Sequence, residues 1–284
     1  PNYDVDQIET IHYNEGYKVF LNGAVSQGIQ VSGLPVDLSS QVELNAFMFN
    51  LLPYYPQECM ATGDVFAGYD DQILVVKNDA SDYYVPAFGV ETMSEMCPGE
   101  SYSIFLNGSN DISFTYPMGA ASYTTDMIDD YKLQTRTDAV THTGLSHLVL
   151  VTDISGHVEE NDQLRAYANN ILVGEINIVE NHLNGYPIDL VAVAGTPQIL
   201  VDEYDVPALD GYQVGDAIEL RLYSSSRDVE LKVIAEFDNA SYGNDTELSI
   251  GSAIVEDVLY DEIPFSFELK QNYPNPFNPS TKID

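Results

Sequence analysis

Positive charge and tryptophan are scarce in this sequence. Its 284 residues contain 10 Lys and Arg against 45 Asp and Glu, a formal net charge of −35, and no Trp. A surface of that sign repels phosphate backbones and anionic lipids, which argues against nucleic acid as a partner. No run approaches the roughly 20 apolar residues that a membrane span requires, so we expect no membrane span.

Aromatic and small polar residues make up much of what is present. The chain has 20 Tyr and 11 Phe, together with many Asn, Asp, Ser and Gly. This is the composition of short strands joined by polar turns. It predicts an all-β protein of tandem β-rich modules, including a β-sandwich, with at most one or two short helices. The acidic charge suits a salty or calcium-bearing exterior, and solubility alone is the alternative reason for it.

Only two cysteines occur, Cys59 and Cys97. They form no CxxC motif and have no paired His, so a zinc or redox site has no support. In an exported protein an even pair is best interpreted as one disulfide. Two buried free thiols are the alternative.

An internal repeat is the clearest signal of organisation. The segments Ile8–Ile11 and Gly16–Gly23 recur about 82 to 85 residues later as Val90–Met93 and Tyr102–Gly108. The drift in spacing marks an insertion around Cys97 that only the second copy carries. Apolar residues alternate with their neighbours in both copies, which is the pattern of a half-buried strand closed by an Asn-Gly turn.

The repeat divides the chain into four parts. We expect the C-terminal part of a truncated repeat at 1–37, a complete β-rich repeat at 38–121, a β-sandwich at 122–258, and a linker with the start of a further module at 259–284. Because the first copy begins inside the unit, we expect the sequence to be a fragment of a longer array.

Apolar periodicity predicts individual elements inside these parts. Val42–Leu52 shows an imperfect helical face, and Ile73–Val76 reads as a buried strand. Asn169-Asn170 suits a tight hairpin turn, since Asn tolerates positive φ. Further strands are expected in the sandwich region at 148–151, 163–167, 172–179, 190–193, 218–223 and 229–237.

The sequence lacks the short motifs of the common hydrolases, metalloproteases and nucleotide-binding proteins. The sequence has no HExxH, GxSxG, Walker loop or GxGxxG. The histidines, including His142, His147, His157 and His182, lack zinc-ligand spacing and are interpreted as solvated or turn residues.

Calcium is the one cofactor that the acidic residues suggest. Asp238–Gly243 breaks the EF-hand pattern because Ala240 and Tyr242 occupy ligand positions. An irregular calcium site in one of two acidic loops and a solvated acidic face remain alternatives. One loop contains Asp126, Asp129 and Asp130, and the other contains Asp202, Glu203 and Asp205.

The end of the chain carries the most specific motif. Phe267–Ile283, with the run QNYPNPFNPST, resembles the opening of the type A C-terminal sorting domain of the bacterial type IX secretion system. The resemblance implies export by that secretion machinery to the cell surface or the extracellular space. The family's domain continues beyond such a motif, so only its start is present here.

Two weaker resemblances cover most of the remaining chain. Gln72–Pro117 looks like a repeat of large exported proteins of the Bacteroidetes and Ignavibacteria kind, and Glu160–Leu222 is similar to the β-sandwich that often precedes the sorting domain. Neither resemblance implies a catalytic residue or a substrate.

The tail also has an apolar face. Phe265, Phe267 and Leu269 alternate with polar residues at strand period. We expect an extended tail that lies against another copy of the chain by strand addition. Its contact residues are Phe265, Phe267, Leu269, Tyr273, Pro274, Asn275, Pro276 and Phe277.

These observations predict a non-catalytic, secreted structural protein that self-assembles into an extracellular filament or cell-surface layer. The alternative is an adhesive or carbohydrate-binding module of a larger exported enzyme, with surface glycans as partners. Tyr54-Tyr55 and Tyr83-Tyr84 would then stack on sugar rings.

Overall fold

The structure is a computed structural model that describes residues 12, 14–19, 36–117, 144–198, 201–202 and 208–259, the side chains of 257–259 excepted. The first residues expected for the β-sandwich, 122–143, and the tail from Phe265 onward lie outside these residues. The described chain is mostly β-structure with two one-turn α-helices, which confirms the predicted fold class.

The described part of the complete repeat contains nine short strands: β1 (Val42–Leu44), β2 (Asn50–Pro53), β3 (Met60–Ala61), β4 (Ile73–Lys77), β5 (Tyr83–Val85), β6 (Val90–Glu91), β7 (Glu95–Met96), β8 (Ser101–Leu106) and β9 (Ile112–Phe114). Five of them form a sheet in the order β2-β8-β4-β5-β6, while β1 pairs with β9 and β3 with β7. A one-turn helix, α1 (Thr62–Val65), follows β3. Two 3₁₀ turns, at Asp70–Gln72 and Pro86–Phe88, lie beside β4 and β5.

The segment Val42–Leu52 is not helical, so that prediction is wrong. It forms β1, a turn and β2. Val42 and Leu44 are buried on one side of β1, whereas Phe47 in the turn has φ +61° and is 73% exposed. The apparent helical spacing arose because a turn residue was counted with the apolar face of two strands.

The predicted disulfide is present between Cys59 and Cys97. The two cysteines flank the β3–β7 pair, in which Met60 lies opposite Met96. The insertion that only the second repeat copy carries is thus tied to the loop after β2. A disulfide fits an oxidising compartment.

Residues 144–259 form a seven-stranded sheet in the order β12-β11-β14-β15-β16-β10-β13. A second one-turn helix, α2 (Glu180–Leu183), lies between β12 and β13. The strands are β10 (Ser146–Gly156), β11 (Gln163–Ala168), β12 (Ile171–Asn177), β13 (Ile188–Val193), β14 (Glu219–Ser224), β15 (Val229–Phe237) and β16 (Leu248–Leu259).

This sheet curls until its edge strands β12 and β13 approach each other. At Gly174 a Cβ atom would collide with the carbonyl oxygen of Val191, so only glycine permits the approach. The two layers of the expected sandwich are therefore halves of one nearly closed sheet. We call this unit the barrel, and its interior is filled by small and branched side chains such as Val149, Leu164 and Leu222.

The sequence predicted six of the seven barrel strands. Asn169 and Asn170 both have positive φ and close the β11–β12 hairpin, as expected. The missed strand is β16, which runs parallel to β10. Its Gly251 and Ser252 interrupt the apolar alternation, which hid the longest strand of the barrel.

Candidate functional site

The complete repeat and the barrel share a continuous apolar core. Val75, Val85 and Phe105 of the repeat sheet pack with Leu148 and Leu248 of the barrel, all of them buried. Burying such side chains favours association by about 25 cal/mol per Å² of apolar surface. We call this contact the seam, and it joins the two modules as one packed unit.

A buried ion pair crosses the seam. Lys77 at the end of β4 contacts the carboxylate of Glu247, and its Nζ donates to the carbonyl oxygen of Ser146 over 3.1 Å. The Lys77 side chain is 3% exposed and that of Glu247 27%. Next to this pair, the Tyr83 hydroxyl donates to Ser146 Oγ over 2.8 Å.

Burial determines the chemistry of Lys77. Desolvation, with a smaller contribution from the Lys18 ammonium, lowers the pKa of Lys77 to about 7. The Glu247 carboxylate favours the charged form. Removing one partner of a buried pair leaves the other unpaired, so the pair makes the relative placement of the modules specific.

The turn before β16 presents Glu247 to the seam. Asn244 accepts the Thr246 N–H over 3.1 Å and donates to the Leu248 carbonyl oxygen over 3.0 Å. Glu247 has φ +50°, a conformation that the surrounding turn must hold. The Asn244 amide, which matches a glycosylation sequon in the sequence, is engaged within its own turn.

His147 lies beside the seam and is fully buried, so its interpretation as a solvated residue is wrong. Its Nδ1 accepts the Gly243 N–H over 3.0 Å, and its Nε2 lies 2.9 Å from Ser249 Oγ. Ser249 in turn donates to the Asn239 carbonyl oxygen. These bonds require a neutral imidazole that carries its proton on Nε2.

The His147–Ser249 pair has the spacing of a nucleophile and its base but the wrong proton arrangement. Nε2 donates to the serine, so it has no lone pair with which to accept the serine proton. Burial lowers the pKa of His147 to about 3. A depression lined by Thr152, His182 and Tyr186 lies further along β10, away from this pair. The pair is therefore suited to holding β10 and β16 together.

A second polar cluster covers the outer side of β11 and β14. The guanidinium of Arg165 lies 4.4 Å from the ring centre of Tyr223, and that of Arg221 lies 4.1 Å from Tyr167. Glu230 contacts both arginines. We call these five residues the arginine–tyrosine face.

Several residues singled out in the sequence do not meet in a site. The side chains of Tyr54, Tyr55, Tyr83 and Tyr84 are all buried, so they are not available to stack on sugars. Among the described residues, no group of three His, Cys, Asp or Glu is placed to hold a metal ion. Most of the proposed calcium residues and the whole assembly tail lie outside the described chain.

The Lys77–Glu247 contact could not be predicted from the sequence, because the two residues are 170 positions apart. One signal was available: Lys77 directly follows the apolar run Ile73–Val76 in a chain with few lysines. Within the described ranges, the helices are too short to cross a membrane. Comparison with protein-family models, curated proteins and solved structures finds no match.

Proposed function

We propose that this chain is a non-catalytic, secreted structural protein and a subunit of an extracellular filament or cell-surface layer. The observation that carries the proposal is the seam. A module pair with a shared apolar core and a buried ion pair behaves as one stiff unit, which an assembly under mechanical load requires.

Export is supported by two independent features. The disulfide between Cys59 and Cys97 suits an oxidising exterior. The resemblance of Phe267–Ile283 to a type IX sorting domain suggests the secretion machinery as a partner. The tail would then serve assembly by strand addition to another copy.

Electron microscopy of the purified chain tests the proposal. We expect filaments or sheets from the full chain and their loss on deletion of residues 264–284, with the circular dichroism spectrum retained. A chain that stays monomeric at every concentration would contradict the structural role.

The arginine–tyrosine face favours one alternative, an adhesive module that binds glycans. Arg and Tyr side chains on the outer side of the barrel suit sugar hydroxyls and ring faces. Glycan binding that is lost in Tyr223→Ala, but kept in Tyr186→Ala, would support adhesion.

A further inference from the structure

The outer edge of β2 is occupied by a segment of the first repeat copy. β2 ends the five-stranded sheet, with β8 on its inner side. On its outer side, the Gly16 N–H donates to the Leu51 carbonyl oxygen over 3.3 Å. A Cβ atom at Gly16 would lie 2.8 Å from that of Leu51 and 3.0 Å from that of Ser101, so the contact requires glycine. The segment thus contacts an open sheet edge through one backbone hydrogen bond, without forming a further strand of the sheet.

The docked segment builds its own local structure. The Tyr17 hydroxyl donates to Glu15 over 2.7 Å and accepts the His12 N–H over 3.0 Å. In the complete repeat, Tyr102 makes the same two bonds, to Glu100 and from the N–H of Cys97. The segment is therefore a small preformed unit, and its docking needs little reorganisation.

The docked segment is only partly covered by the rest of the protein. Lys18 forms an ion pair with Asp79 over 3.7 Å, in which Asp79 is 72% exposed. Val19 is 62% exposed, whereas Ile104, its equivalent in the complete repeat, is fully buried. A contact of this kind is weak within one chain and can be exchanged between chains.

The connection from Val19 to Val36 is long enough for such an exchange. Residues 20–35 can span up to about 55 Å when fully extended. We propose that the outer edge of β2 is a joint that takes the Glu15–Val19 segment of a second copy. Where the rotation between copies does not close into a ring, such a head-to-tail contact propagates as a filament. This inference rests on the proposed structural function and adds a second contact surface to that of the tail.

Isotope-coded crosslinking tests the joint on the full chain. Light and ¹⁵N-labelled chains are mixed in denaturant, refolded together and treated with a zero-length carbodiimide crosslinker, which joins Lys18 to Asp79. We expect crosslinked peptides that contain one light and one heavy partner, with a share that rises with protein concentration. The Lys232–Glu256 pair, 3.1 Å apart on neighbouring barrel strands, is the control and should give same-isotope peptides.

Two variants separate docking from folding. Gly16→Val should abolish the Lys18–Asp79 crosslink, while Gly63→Ala, whose added Cβ meets nothing closer than 3.6 Å, should keep it. Lys18–Asp79 peptides that are always of one isotope would overturn the joint. If electron microscopy nevertheless showed filaments, the proposed function would stand and the joint would not be its contact.

Mixed-isotope peptides without filaments would have the opposite meaning. They would support the joint and contradict the proposed function.

Discussion

Two contacts join successive parts of this chain, and each contains a lysine paired with an acid. At the seam, Lys77 is 3% exposed and packs among apolar side chains with Glu247. At the edge of β2, Lys18 is 28% exposed and Asp79 is 72% exposed. A buried pair is costly to break, whereas a surface pair contributes at most about 1 kcal/mol. The same chemistry therefore fixes one contact and leaves the other exchangeable.

Acid should destabilise the barrel next to the seam, through His147. The folded pKa of His147 is about 3, below its ordinary value of 6.5, so the folded state resists protonation. The contribution of the neutral His147 to stability is present above pH 6.5 and is lost as the pH drops toward 3, by about 5 kcal/mol in total. Urea unfolding between pH 6.5 and 5.5 measures about 1 kcal/mol of this loss while most carboxylates remain ionised. His147→Gln should flatten the dependence of the unfolding free energy on pH, and His157→Gln should not. An equal slope in the unmodified protein and both variants would refute the assignment of this loss to His147.

Loss of the disulfide tests whether the repeat and the barrel unfold together. Replacing Cys59 and Cys97 by Ser removes a crosslink of 38 residues, which is worth about 3–4 kcal/mol. If the seam makes the repeat and the barrel one cooperative unit, the variant should unfold in a single transition that is shifted to lower stability. Two separated transitions, with the barrel unaffected, would show that the seam is weak.

Removing the buried ammonium tests the seam directly. Lys77→Met keeps the apolar stem but leaves Glu247 unpaired and deprives Ser146 of a donor. We expect a loss of about 2–3 kcal/mol, since Glu247 is partly exposed. A double-mutant cycle with Glu247→Gln isolates the pair. A coupling energy near zero would place the seam's stability in its apolar core.

The hydroxyl of Tyr83 should contribute less. Tyr83→Phe removes one buried hydrogen bond to Ser146 and should cost about 1 kcal/mol in chemical denaturation. Tyr186→Phe, at an exposed position, is the matched control and should be neutral. Equal costs at the two positions would contradict a specific bond across the seam.

Local pattern predicted the strands, while the contacts between modules were not predictable. Short-range alternation identifies β4 and β15, and Asn169-Asn170 identifies a hairpin, because these signals act within a few residues. The seam depends on residues such as Lys77 and Glu247 that only the folded topology brings together. The helix wrongly predicted at Val42–Leu52 has the same origin, since burial by distant strands decides which apolar residues face inward.

The smallest effect is expected at the edge of β2. Lys18→Met removes an exposed ion pair and should change the free energy of unfolding by less than about 0.5 kcal/mol. The same substitution should still weaken association between copies, because the Lys18–Asp79 pair helps to hold the docked segment. Sedimentation at rising salt measures this, since screening should mimic the substitution in the unmodified chain. Lys232→Met, which breaks a pair inside the barrel, should leave association unchanged. A large loss of stability in Lys18→Met would mean that the edge contact is as fixed as the seam.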